Sequence, residues 1–451
     1  MTSPRFSDDW VRAALGLRGG AEVGFDAVVT DTRTLAPGAL FVALAGERYD
    51  AHDFLAAAHE GGATGAVVRL GTAAVAGLVL YEVADTLRAL GDLAAAERNR
   101  FSGPVVGITG QNGKTSTKEM VAAVLSTKWR VHRTRANDNN LVGVPSTVLQ
   151  APADTEALVI EAGANLPGEI RRYQEIVRPD IAVVLNAGAG HLEGFGSVEG
   201  VIKEKLSLTK DAPLAIVGTE PALLAVGARA LARRVVTAGL SGADVVPDAV
   251  TMTPDGRPIV SIDTRRFTVA ARGKHQAGNA MFAWAIAREL GLDLDAVAVA
   301  LEQFNVPGGR GELAQSGGLT IVNDSYNANP QSFATAIALA QELRPGRRLV
   351  FVAGSMRELG AHATVLHREV AGWLAALEPE LLALVGDFVT AFAPYRDRFA
   401  GRLIEAADAD TMAPLLAARL GGDELVVLKA SRGMTLERIL PAILARAAAT
   451  A

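Results

Sequence analysis

What most restricts the fold of this chain is a recurring pair of patterns, a short apolar run followed by an amphipathic stretch. The runs are Val105 to Ile108, Leu158 to Ile160, Ile181 to Leu185, Leu319 to Val322, Leu349 to Val352, Leu382 to Val385 and Leu425 to Leu428. They are continuous rather than alternating, as strands covered on both faces are. Between them the spacing turns helical. Met120, Val121, Val124 and Leu125 follow Lys114 at helix period, Leu87 to Arg100 reads as a helix, and Ser7 is placed to cap a helix with Trp10, Val11, Ala14 and Leu15 on its inner face. Strand and helix in alternation predict an α/β protein of mostly parallel sheets with helices on both faces.

At 451 residues the chain has room for two to four domains. Pattern changes near Ala84 and Leu313 predict three units, residues 1–84, 85–313 and 314–451. A 49% hydrophobic and 21% charged composition implies that most of the chain folds. Lys and Arg number 44 against 49 Asp and Glu, a net charge of −5, so there is no basic track for a nucleic acid or an anionic membrane, and any bound anion needs a local site. The absence of cysteine removes disulfides, thiolate metal sites and thiol nucleophiles. The longest stretch free of charged residues, Ser325 to Gln341, holds Asn327, Asn329, Pro330 and Gln331 and is too polar to span a membrane. Arg5 followed by Asp8 and Asp9 lacks the order of a signal peptide. A soluble, cytoplasmic protein is expected.

The strongest local signal is Val105-Val106-Gly107-Ile108-Thr109-Gly110-Gln111-Asn112-Gly113-Lys114-Thr115-Ser116, an apolar strand entering a glycine-containing loop and then a helix. Glycines let backbone N–H groups converge on phosphate oxygens, and the helix N-terminus adds partial positive charge. Lys114 can reach the outer phosphates and Thr115 can ligate Mg²⁺. Nucleoside triphosphate binding is implied, although the general pattern places a glycine where Ile108 stands.

In such a sheet the remaining ligands come from the carboxyl ends of neighbouring strands. Glu161 directly follows Leu158-Val159-Ile160, and His191 lies just past the run ending at Leu185. A strand-end Glu is more often a capping or solvated residue, and a lone His more often structural; their shared location beside the loop is what singles them out. By spacing alone, Lys203 and Lys205 are ordinary helix-surface lysines.

The run Thr109 to Thr115 resembles the ATP loop of the Mur ligases, three-domain enzymes that extend the UDP-muramoyl peptide of bacterial cell walls and whose loop shares the shortened glycine spacing. Asp31-Thr32-Arg33, the segment Pro37 to Leu44, and Gly46, Asp50, His52, Asp53 and Phe54 are similar to the family's uridine-nucleotide module. Within the family, several segments are similar to the branch that joins D-alanyl-D-alanine to UDP-N-acetylmuramoyl-tripeptide. These are Asn137 to Asn140 with Gly143-Val144-Pro145, Glu161 to Asn165 with Gly168-Glu169-Ile170, His191 to Ser197, Asn323 to Pro330, Gly354 to Gly360 and Lys429 to Met434. The asparagine-rich segment from Asn323 is the most diagnostic. The chain departs from the usual pattern at Ser355, where Asp is common, and at Gln276, where Asn is frequent.

The resemblance implies a central P-loop domain, a Rossmann-like C-terminal domain and an ATP-dependent ligase acting through an acyl phosphate in peptidoglycan synthesis. It assigns Lys114 and the backbone of Thr109, Gly110, Gln111, Asn112, Gly113 and Ser116 to the phosphates. Thr115 and Glu161 go to one Mg²⁺ and His191 to a second, supported by Lys205 carried as a carbamate, with Lys203 as the competing position. Lys274, His275 and Asn279 are implied near the adenine, Arg310 at the γ-phosphate and Asp324 on the ribose. Tyr326, Asn327, Asn329, Ser431 and Arg432 would line the ATP or dipeptide side. Asp31, Thr32, Arg33 and Asn140 are taken as substrate-binding, Gly308, Gly309 and Gly311 as a hinge, and the protein as a monomer. Another ligase of the superfamily, of the diaminopimelate- or lysine-adding or folylpolyglutamate type, or a P-loop kinase, nucleotide switch or non-catalytic nucleotide-binding protein, remains the alternative.

Overall fold

The computed structural model describes residues 4–46, 49–190, 192–306 and 308–450. All seven apolar runs are strands, and they fall into two six-stranded sheets. The first is wholly parallel, in the order Val235–Thr237, Leu214–Val217, Ile181–Val184, Val105–Thr109, Ala157–Glu161, Val131–Arg133. Leu214–Val217 is an interior strand of the same buried, apolar type that lies outside the seven runs. Helices Lys114–Leu125 and His275–Glu289 cover one face together with a three-stranded antiparallel sheet, Ala249–Met252, Pro258–Ile262 and Arg265–Thr268. Helices Thr86–Arg100, Gly143–Leu149 and Glu169–Val177 cover the other.

The second sheet runs Glu312–Ser316, Leu319–Asp324, Leu425–Lys429, Leu349–Gly354, Leu381–Val385, Leu403–Ala406. It is parallel except for its first strand, which forms a hairpin with the second. Separate apolar clusters on its two faces make it doubly wound, as a Rossmann-like sheet is.

The N-terminal residues add a four-stranded parallel sheet, Ala27–Val29, Ala39–Val42, Ala63–Arg69 and Val79–Val83. Its attachment is locally specified. Ser7 caps helix Asp8–Leu15 by accepting from the Trp10 N–H at 3.2 Å, and Asp85 caps helix Thr86–Arg100 by accepting from Leu87 and Arg88 N–H at 2.9 and 3.0 Å. Buried Tyr81 donates to Asp8 Oδ1 at 2.6 Å, and Arg12 and the Ala21 N–H also bind that carboxylate. Burial tends to raise the Asp8 pKa, but the hydrogen bonds from Tyr81, Arg12 and Ala21 outweigh it and hold the group below the ordinary value. Among the described residues no helix is long and apolar enough to cross a membrane.

Candidate functional site

The parallel register fixes the centre of the site. Ile108 pairs with Glu161, so the strand that ends in Glu161 delivers its carboxyl end beside the loop that leaves Thr109. Two contacts fasten that junction: the Ala162 N–H donates to Ile108 O at 2.8 Å, and Thr109 Oγ1 donates to Ala162 O at 2.8 Å. The hydroxyl of Thr109 is thereby committed to the fold, leaving its backbone to shape the loop. Asn186, at the end of the next strand, accepts from the Gln111 and Asn112 N–H groups at 3.1 and 2.9 Å and donates back to Asn112 O at 3.2 Å.

Gly113 opens helix Lys114–Leu125 with φ +83°, and a Cβ built there would lie 2.7 Å from Asn279 Oδ1. Only glycine meets both conditions without strain. Asn279 is buried and donates to Gln276 Oε1 at 3.0 Å, so Gln276 orients the side chain that abuts the loop.

Lys114 donates to Gly110 O at 2.9 Å and Gln111 O at 3.2 Å, which places its ammonium over the loop. Burial pushes its pKa down, Glu161 opposes that shift and Arg310 adds to it. Glu161 is 1% exposed. Its Oε1 accepts from Thr115 Oγ1 at 3.1 Å and Asn139 Nδ2 at 2.8 Å, whereas its Oε2 is buried with no hydrogen-bond partner. A buried carboxylate with one oxygen on a threonine hydroxyl at a phosphate loop and the other without a donor is a set of groups suited to Mg²⁺. Among the described residues no three His, Cys, Asp or Glu side chains cluster as a metal cage, so a metal here would also need phosphate or water oxygens.

His191 lies outside the described residues. Of the two candidate lysines, Lys203 is exposed and Lys205 is buried, at 2% exposure. Burial, with the charge of Lys114 adding to it and Glu204 opposing, holds the Lys205 amine well below the ordinary lysine pKa.

The phosphate loop and Glu161 line a cleft of about 270 Å³ that has a second wall from the C-terminal unit; Lys205 is not on its lining. Arg310, Asp324, Tyr326 and Asn327 line it, facing Gln111 to Ser116, Asn139, Asn140, Glu161, His275 and Asn279. Arg310 stacks over the Tyr326 ring at 4.0 Å, and Arg432 lies 5.7 Å from the same ring. Gly309 and Gly311 both have φ +71°, and Gly309 O accepts from the Tyr326 N–H at 3.2 Å. Asn329 caps helix Pro330–Leu343 by accepting from the Ser332 N–H at 2.9 Å. It also meets the phosphate loop directly: its Nδ2 donates to Asn112 Oδ1 at 2.8 Å, and Asn112 Nδ2 donates to Asn329 Oδ1 at 3.4 Å and Gln331 Oε1 at 2.8 Å. Ser431 is a buried tie within the C-terminal sheet. Its Oγ accepts from the Arg357 N–H at 2.9 Å and donates to Ala328 O at 3.4 Å.

Three further residues contribute that sequence reasoning did not single out. Asn139, rather than its neighbour, holds Glu161, while Asn140 spends its Oδ1 on the Val142 and Gly143 N–H groups at 3.0 and 2.8 Å. Lys429, 3% exposed, pairs with Asp324 at 2.7 Å and donates to Asn327 O at 2.7 Å, shaping the asparagine segment from below. Lys118 sits one helical turn beyond Lys114, and that spacing was its only signal.

A second cleft, about 280 Å³, lies between the N-terminal sheet and the central one. Asp31 and Thr34 line one side and His132, Arg133, Arg135, Asp138 and Asn140 the other; Thr32 and Arg33 are not on its wall. Arg33 instead pairs with Asp31 at 2.6 Å, and its hydrogen bonds hold that carboxyl down to about 2. Asn140 borders both clefts.

A glycine loop, a metal-suited carboxylate and two clefts between three largely parallel sheets define a multidomain nucleotide-binding enzyme of the P-loop type. Residues 108–287 match the Mur ligase middle domain and residues 309–433 the Mur ligase glutamate ligase domain. The chain belongs to the Mur ligase family, in its UDP-N-acetylmuramoyl-tripeptide–D-alanyl-D-alanine ligase (MurF) branch. It is 34% identical to that ligase from Bacillus subtilis (strain 168) over 427 residues, which cover 92% of each chain. Among solved structures it resembles MurF from Acinetobacter baumannii, with a TM-score of 0.89 at 28% identity over 98% of this chain and 99% of that one. It also resembles MurF from Thermotoga maritima, solved in complex with ADP, with a TM-score of 0.83 at 28% identity over 94% of this chain and 98% of that one.

Proposed function

We propose that this protein joins D-alanyl-D-alanine to UDP-N-acetylmuramoyl-tripeptide at the expense of ATP, completing the peptide of the peptidoglycan precursor. One observation carries the reading: a single cleft unites the phosphate loop and Glu161 with the Asn323–Pro330 segment of another sheet. Residues 1–84, 85–313 and 314–451 serve in this reading as the uridine-nucleotide, ATP and dipeptide units, acting in the cytoplasm.

The tripeptide carboxylate attacks the γ-phosphorus of ATP, the bond to the β-phosphate oxygen breaks, and ADP leaves. The dipeptide amine then attacks the acyl phosphate carbon, loses a proton and expels phosphate. Most of this catalysis is placement and charge neutralisation. Lys114 and the N–H groups of Gly113, Lys114 and Thr115 hold the outer phosphates, since those of Gln111 and Asn112 are taken by Asn186, and Arg310 approaches them from the other wall. Asn279, His275 and Asp324 flank the nucleoside, while Tyr326 and Asn327 border the dipeptide. Asp31, Arg135 and Asn140 border the uridine nucleotide. Thr115 Oγ1 and the Glu161 carboxylate would hold Mg²⁺, with His191 and modified Lys205 at a second position. When bound, the metal supplies charge neutralisation at the phosphoryl oxygens. The depressed pKa of Lys205 supports its modification, because only the neutral amine adds to CO₂, forming an N–C bond and releasing a proton to leave a carbamate anion.

Phosphate release with UDP-N-acetylmuramoyl-tripeptide, ATP and Mg²⁺, measured with and without D-alanyl-D-alanine, tests the reading. Release that depends on the dipeptide is expected. Release indifferent to it, or supported equally by diaminopimelate or glutamate, overturns it.

A further inference from the structure

Helix Lys114–Leu125 turns a second lysine, Lys118, into the interior behind Glu161. Lys118 is 1% exposed. Its ammonium donates to Thr134 O at 2.8 Å, lies 3.0 Å from Glu119, and stands 3.8 Å from Glu161 Oε2, the oxygen that no donor reaches. Glu119 is shared with Arg133, which donates to its Oε2 at 2.8 Å. Thr134 in turn grips Glu161 from the backbone side, its Oγ1 accepting from the Glu161 N–H at 2.9 Å. Lys118, Thr134 and Glu161 thus form a closed knot, and the ammonium serves the Glu161 carboxylate by charge rather than by a direct hydrogen bond.

While Thr115 and Asn139 orient the carboxylate through Oε1, Lys118 places a positive charge a few ångströms from where a divalent ion would sit. A free metal ion meets like-charge repulsion there, whereas an ion arriving on the phosphates of ATP brings compensating negative charge.

We propose that Lys118 is a positioning residue of the metal site: it balances Glu161 in the nucleotide-free protein and so restricts that carboxylate to metal delivered with the nucleotide. This rests on the reading of Glu161 as a metal ligand, and it does not depend on which amine the enzyme joins.

The test is Mn²⁺ binding to the nucleotide-free protein, followed by electron paramagnetic resonance, for wild type, Lys118→Met and Lys118→Arg. Removing one unit charge beside a divalent site should tighten Mn²⁺ binding about tenfold in Lys118→Met, and Lys118→Arg should stay within about twofold of wild type. The gain should vanish when Glu161→Gln is added. Tightening of less than about threefold, an arginine variant that follows the methionine one, or a gain that survives Glu161→Gln each overturns the proposal. Should circular dichroism show Lys118→Met to be unfolded, Lys118→Gln carries the same expectation and the same refutation. Phosphate release by the wild type is measured separately: indifference to D-alanyl-D-alanine there would remove the ligase reading and leave the Mn²⁺ result standing.

Discussion

Gly113→Ala is the sharpest perturbation of the phosphate loop, because two independent costs meet at one atom. At φ +83° an L-residue costs about 1–2 kcal/mol relative to glycine. The added Cβ, 2.7 Å from Asn279 Oδ1, must also displace a buried amide already bonded to Gln276, at an off-rotamer cost of about 1 kcal/mol. If nucleotide binds only the native loop, a cost of about 2–3 kcal/mol for holding that shape appears as roughly 30- to 150-fold weaker binding. Calorimetric titration with ADP or a non-hydrolysable ATP analogue measures it. The two costs separate in a double-mutant cycle. Asn279→Ala should weaken binding on its own, but by about 1 kcal/mol less in the Gly113→Ala background, where it also relieves the clash. Binding by Gly113→Ala within about twofold of wild type, or a cycle with no coupling, refutes the argument.

Other outcomes follow from the same geometry. Glu161→Gln should lower kcat by at least about 100-fold, since it weakens a contribution of several kcal/mol to charge stabilisation, with the fold intact by circular dichroism; retained activity would remove Glu161 from the site. Lys205→Ala should lose activity and regain part of it with added short-chain carboxylates, and full activity without them would end the carbamate role. Gln331→Ala removes one acceptor from Asn112 while sparing the Asn329 cap, so ADP affinity should fall by about 0.5–1.5 kcal/mol with little change in Tm.

His367 should make the fold acid-sensitive. Its Nε2 accepts from the Met356 N–H at 2.9 Å while Nδ1 faces Ala363 O at 2.7 Å, a neutral tautomer whose pKa burial pushes below the ordinary value. As pH falls from the ordinary histidine range towards that depressed value, the unfolded chain gains a proton that the folded one refuses, so stability drops. His367→Gln should flatten that part of the Tm-against-pH curve, and an unchanged curve would assign the acid loss elsewhere.

Much of this architecture is readable because interior strands of parallel sheets are buried on both faces and therefore almost wholly apolar, as Val105–Thr109 and Leu349–Gly354 are. Several of the strands that escape are edge or partly exposed ones, although Leu214–Val217 and Ala39–Val42, both short, are buried throughout. Val131–Arg133 is short and polar, and Glu312–Ser316 buries no residue. Lys114, Thr115 and Glu161 stand out because loop and strand end lie in recognisable local contexts. Asn139 does not, since only the bend of the loop decides which of two adjacent asparagines binds the Val142 and Gly143 N–H groups and which reaches the carboxylate. Lys118 is illegible for a similar reason, its partner Glu161 being 43 positions away in the chain and brought near only by the sheet.

The double duty of Asn329 restricts what substitution can reach. As a helix cap, Asn, Asp and Ser are nearly interchangeable, because each offers an oxygen to the first turn. Across the seam, however, it is the amide N–H that donates to Asn112. Aspartate keeps the cap and loses that donor, and serine is too short to supply it. The cap alone would leave three residues open at this position; the seam narrows them to one.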